Sequence, residues 1–150
     1  MKLYYDKSES LSAAISGERR GIVNREILFR GKRADTGEWI EGYFGQSIDS
    51  FIIQDYGLVA GRFEVFKVIP ETVGQFTGLT DKGGKRIFEG DIIAGKIGKF
   101  VIRWSEPICG FAAGEGFKMV PCMNQGTMQD YEVIGNSHDN PELLEVNDNG

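Results

Sequence analysis

From Val23 onward, apolar and polar positions alternate with a period of two, in short runs separated by glycine, asparagine and aspartate. That period belongs to extended chain with one side buried. In "VNREILFRG", Ile27 and Phe29 fall on one side and Leu28 and Arg30 on the other. "TGEWIEGYF" places a turn at Thr36-Gly37, followed by the strand residues Trp39, Ile40, Tyr43 and Phe44. "SFIIQ" and "RFEVFKVI" read as two further strands. In the second of these, Phe63, Val65 and Lys67 share one face, while Glu64, Phe66 and Val68 share the other. Pro70 ends that strand, because proline has no N–H for a ladder. "DIIAGKIGKFVIRW" reads as a hairpin turning through "GKIGK", and "CGFAAGEGFKMV" as a second around Gly114-Glu115-Gly116. "YEVIGN" reads as a last strand. "SHDNPELLE" then suits a short C-terminal helix, with Asp139 or Asn140 as cap and Pro141 at its first position. No stretch of a dozen residues keeps a 3.6 period, and no internal repeat or Pro/Ser-rich linker occurs. Many short strands at close spacing predict a mainly β chain built as a small barrel or a sandwich. The barrel is favoured, because glycine bends let short strands curl and close.

The stretch "TGLTDKGGKRIFEGDII", Thr77 to Ile93, reads as turn, strand, turn, strand. Asp81 opens the first turn with a carboxylate able to accept backbone N–H bonds, and Gly83-Gly84 supply positive φ. Glu89-Gly90-Asp91 makes the second reversal. A phosphate cradle does not fit. Arg86 stands where a Walker loop needs Ser or Thr, and the residues that follow are β-like, so no helix N-terminus is at hand. The spacing of Asp81, Glu89 and Asp91 is not that of an EF-type calcium loop. The layout resembles the irregular hairpin that leads into an SH3-like barrel.

Charge narrows the class. The net charge of −5 and pI near 5.0 argue against bulk electrostatic binding to nucleic acid. Residues 104–150 carry one basic side chain, Lys118, against eight acidic ones. Such asymmetry suits self-association or an electropositive partner, or simply a solvated surface. Cys109 and Cys122 belong to no CxxC pair or His/Cys cluster and read as small core residues of a reducing cytosol. No apolar run reaches membrane-spanning length, and residues 1–22 lack the apolar core of a secretory signal. The expectation is a cytoplasmic protein without membrane contact.

Residues 1–22 differ from the rest. They are rich in serine and charge and lack strand alternation. They read as an N-terminal extension to a β domain of residues 23–150. A translation start at Val23 is one explanation: a GTG codon is read as valine internally and as methionine at a start. If Arg19 and Arg20 in "GERRG" are both encoded AGG, they spell a ribosome-binding sequence just upstream.

Three segments in order, "NREILFRGKRADTGEWIEGYF", "GQFTGLTDKGGKRIFEGDII" and "YEVIGNSHDNPELLE", resemble the YopX family of bacteriophage and prophage proteins. The resemblance spans about residues 23–145. It implies a mainly β, SH3-like barrel, here with extra hairpins and the short C-terminal helix, in a phage setting inside the bacterial host cytoplasm. It brings no catalytic residues and no cofactor. Ser137-His138 departs from the apolar-aromatic pair more usual in the family.

Chemistry-bearing candidates are few. His138, the single histidine, lies in a helix-entry turn and reads as a surface or capping residue. The carboxylates form no recognisable acid/base pair. Trp39, Tyr43, Phe44, Phe51 and Tyr56 interleave with Arg30, Lys32, Arg33 and Arg62, a mixture that can stack single-stranded nucleic acid or simply divide between core and solvated faces. Arg30, Lys32, Arg33, Trp39 and Tyr43 are therefore the candidate interaction surface. The expected function is that of a non-enzymatic phage accessory protein, a homo-oligomer or a binder of a phage or host protein. A nucleic-acid-binding module is the alternative.

Overall fold

The computed structural model describes residues 25–55, 63–115 and 118–145. The expectations for residues 1–22, Tyr56 and Arg62 lie outside them. The strands are β1 (Phe29–Lys32), β2 (Trp39–Gln46), β3 (Ser50–Asp55), β4 (Phe63–Val68), β5 (Gly74–Thr80), β6 (Arg86–Phe88), β7 (Asp91–Gly95), β8 (Gly98–Ser105), β9 (Gly110–Glu115), β10 (Lys118–Met119) and β11 (Glu132–Asn136). They form two antiparallel sheets, one ordered β4-β3-β2-β1-β5-β6 and the other β10-β9-β8-β7-β11. Each hairpin and strand expected from the period-two pattern is present. The faces of β4 also follow that pattern, since Ile53 opposes Val65 and Ile52 opposes Phe66.

The closed barrel is not. At one corner the first sheet curls far enough for Arg33 to bridge Val68, with Ala34 N–H donating to Lys67 C=O at 2.9 Å and Ile69 N–H to Lys32 C=O at 2.8 Å. The ladder goes no further, because Pro70 opens a 3-10 turn (Pro70–Thr72) directly after that corner. The chain then returns on the opposite side of β1, where β5 pairs with it. The sheet is extended there instead of closed.

The C-terminal helix is corrected too. Pro141–Leu144 forms a four-residue 3-10 turn, with Leu143 N–H donating to Asn140 C=O and Glu145 N–H to Glu142 C=O. The turn presses on β11 closely enough that a Cβ on Gly135 would come within 3.0 Å of Leu143 Cδ1. A one-turn α-helix, α1 (Gln125–Met128), was not expected, being too short to show a period. It is specified by its cap. The Asn124 side chain accepts from Thr127 N–H, and the Thr127 hydroxyl accepts from Asn124 N–H.

The core lies on the inner face of the second sheet. Ile93, Ile102 and Ala113 meet Ile87 of β6 and Met128 of α1, all fully buried, with Tyr131 and Val133 beside them. Asp81 ties the first turn to this core. Its carboxylate accepts N–H bonds from Gly83, Lys85 and Val133. Burial pushes this carboxyl up, but the three N–H donors outweigh it and hold it below the ordinary carboxylate value. Of the two glycines there, Gly84 carries the positive φ, +80°. Cys109 and Cys122 are exposed, contrary to the core reading. Cys109 ends the 3-10 turn Glu106–Ile108 in the left-handed region, φ 49°, and Cys122 lies in the loop before α1. Neither position points into a layer of the fold.

Candidate interaction surface

The five residues singled out in the sequence separate into three places. Arg30, Lys32 and Trp39 converge at the seam between the sheets. From β1, Arg30 reaches across to Asp91 at the start of β7, with its Nη2 2.6 Å from Oδ1. This pair is nearly dry, at 12% and 1% exposed. The other oxygen, Oδ2, accepts Phe88 N–H at 2.8 Å. The guanidinium lies between two rings, 4.7 Å from Trp39 and 4.9 Å from Phe88. Burial raises the Asp91 carboxyl above its ordinary value, and Arg30 offsets only part of that rise.

Asp139 completes the seam from the loop after β11. Its carboxylate accepts from Lys32 Nζ and, at 2.6 Å, from Trp39 Nε1. Asn136 Nδ2 adds a third bond. The Lys32 bond first and the Trp39 bond second lower this carboxyl to about 2. The carboxylate is thus committed to one cation, Lys32, and to the Trp39 indole of the other sheet, while the His138 ring lies against Trp39 at 6.1 Å between centroids. Gly90 holds the seam together from below. It has φ +88°, its N–H donates to Ile102 C=O, and its C=O accepts Ser137 N–H.

Arg33 is elsewhere. It pairs with Asp35 through Nε and Nη2 and stacks on Phe66 at 4.6 Å. Three of the proposed binding cations therefore have their charge opposed within the chain.

Tyr43 alone faces outward, in company that the sequence reading did not assemble. The ladders place Tyr43 opposite Ile53 and Ile53 opposite Val65, one row across β2, β3 and β4. Phe51 and Phe63 flank the row on the same face. Tyr43 is 58% exposed, Val65 53% and Phe63 66%. A row of this kind on an ordinary solvated sheet is polar. Among the described residues β4 has no ladder partner on its far side beyond the single bridge at Val68. Lys67 C=O and Ile69 N–H point to that side. By two-residue alternation the N–H and C=O of Val65 and Phe63 point there as well. The signal was present in "RFEVFKVI", where Phe63 and Val65 share one face with Lys67, but which face is covered depends on the opposing layer.

Among the described residues no three His, Cys, Asp or Glu side chains gather as metal ligands, and no helix is long and apolar enough to cross a membrane. Comparison with protein families gives a match to the family described as YopX protein over residues 28–145. Among solved structures the chain is similar to protein EF1440 from Enterococcus faecalis, at 27% identity and a TM-score of 0.50, covering 81% of this chain and 99% of that one. Comparison with curated proteins gives no match.

Proposed function

The chain belongs to the YopX family, and on that premise we propose that it is a non-enzymatic accessory protein of phage or prophage, acting in the bacterial cytoplasm as a self-associating β module. The observation that supports this is the outward-facing row of exposed Tyr43 and Val65 with half-buried Ile53 between them, next to an edge of β4 that has no ladder partner among the described residues beyond the bridge at Val68. Unpaired edges invite strand addition, and a second copy offers a matching edge. In an antiparallel β4–β4 pairing centred on Val65, the apolar rows of both copies become one continuous surface. The stitched corner at Arg33 and Val68 supports reading β1–β4 as the SH3-like part of the family fold. A role on nucleic acid has less support, because Arg30, Lys32 and Arg33 face Asp91, Asp139 and Asp35.

Light scattering coupled to size exclusion tests the proposal. The unmodified protein is expected as a dimer, and Tyr43→Glu/Val65→Glu as a monomer with an unchanged melting temperature. An unmodified protein that stays monomeric at high micromolar concentration, or a double variant that stays dimeric, sinks it. A salt-sensitive shift of labelled single-stranded DNA, lost on Lys32→Glu, would favour the nucleic-acid role.

A further inference from the structure

One copy of the chain and two copies joined through β4 present different amounts of apolar surface on the same side of the first sheet. Strand alternation puts Tyr43 of β2, Phe51 and Ile53 of β3, and Phe63 and Val65 of β4 on that side, and the ladders set Tyr43, Ile53 and Val65 in line. Tyr43, Phe63 and Val65 are each more than half exposed, so among the described residues no layer covers them. An aromatic side chain carries roughly 150–250 Å² of surface, and these three together leave roughly 300 Å² open per copy. A solvated monomer tolerates a patch of that size. Two copies meeting through this side alone would bury about 600 Å² in total, below what specific association needs.

Pairing of β4 with β4 changes that arithmetic. The two-fold axis of such an antiparallel pair is perpendicular to the sheet, so both rows lie on the same side. The apolar surface becomes about 600 Å², centred on the two Val65 side chains, which is at the limit of what soluble proteins leave open. Turned onto an identical surface, it buries about 1,200 Å² in total, where stable interfaces begin.

Charge does not oppose this contact. Lys67, on the same side, meets Asp49 at 2.9 Å, and Glu41 meets Arg86 at 2.9 Å. Asp55, opposite Phe63, is engaged within the chain as well. The margin is polar and balanced, around an apolar centre.

On the reading that β4 pairs with β4, we infer that the doubled face docks on the doubled face of a second such pair, giving a tetramer with three perpendicular two-fold axes. This arrangement is closed and leaves no further apolar face to recruit more copies. Tyr43 lies two strands away from β4, so it serves the face and not the edge. Its ring packs, and its hydroxyl stays at the wet margin. Assembly is ordered: the edges join first, because a single face is too small to hold, and the pairs then associate.

Sedimentation velocity at loadings from about 10 μM to about 1 mM separates the two steps. A dimer at the low end and a tetramer at the high end are expected. Tyr43→Lys, a change at an exposed position, is expected to keep the melting temperature and the dimer, and to weaken the tetramer step by at least about tenfold. Tyr43→Phe is expected to retain the tetramer. A parent that stops at the dimer, a Tyr43→Lys variant that forms the tetramer as readily as the parent, or mass that grows past the tetramer overturns the inference and leaves the β4 pairing standing. A parent that is monomeric throughout removes the pairing and the inference with it. Loss of the dimer itself on Tyr43→Lys would place the first contact on the face and overturn the order of assembly.

Discussion

β3 and β7 are both central strands of antiparallel sheets, and both carry consecutive isoleucines, Ile52-Ile53 and Ile92-Ile93. In β7 the two side chains point to opposite faces and both are fully buried. In β3 only Ile52 is fully buried, while Ile53 sits in a row with Tyr43 and Val65 that faces outward. The strands differ in what lies over them. β7 has the core with α1 on one face and the C-terminal turn on the other, whereas among the described residues β3 has a protein layer on one face only. A strand pattern therefore reports that a residue is suited to burial, and the layers decide whether burial occurs within the chain.

The largest test of this contrast is at the seam where the two sheets meet. Asp91→Ala leaves the Arg30 guanidinium buried without its counter-charge, and a loss of about 3–5 kcal/mol is expected in urea unfolding. The double variant Arg30→Met/Asp91→Leu, which removes both charges, should recover much of that loss. If Asp91→Ala unfolds like the parent, the seam does not couple the sheets.

Next in size is the pair of strands itself. Ile93→Ala should cost about 2–5 kcal/mol through the cavity left in the core. Val65→Ala should stay within about 0.5 kcal/mol in the monomer, because its side chain is already exposed. Equal losses at both positions would abolish the distinction between the sheets.

Gly90→Val probes the turn beneath the seam. The site has room, since a Cβ would lie 3.6 Å from Ser137 Oγ. The cost is therefore backbone strain at φ +88°, about 1–3 kcal/mol by thermal or urea melting. A variant that melts like the parent would mean that the turn relaxes freely.

The smallest expected effect is at Asp139. Its folded value of about 2 lies below the ordinary 3.8, so its contribution is present above pH 4 and is lost as pH falls from about 4 to 2. A third of the carboxylate meets solvent, and screening limits the contribution to about 1 kcal/mol. Asp139→Asn should lower stability by that amount at neutral pH and flatten the acid limb. An unchanged acid limb would show that Lys32 and Trp39 do not depend on this carboxylate.

The sequence by itself determined the β class, most strand positions, the turns at Asp81 and Gly90, and membership features spread over three segments. These are local matters. Period-two alternation, proline at Pro70 and positive φ at glycine act within a few residues. Only the tertiary structure decided that the first sheet stays open, because β5 takes the second edge of β1. It also decided that Arg30, Lys32 and Trp39 are drawn into a seam with Asp91 and Asp139, 61 and 107 residues away for the two ion pairs. The cysteines read as core fell on a turn end (Cys109) and a loop (Cys122), both exposed, and Tyr43 lines up with Val65 across two ladders. Charge pairing and face coverage are settled by which layers meet, and those meetings join residues whose separation in the chain carries no periodic signal.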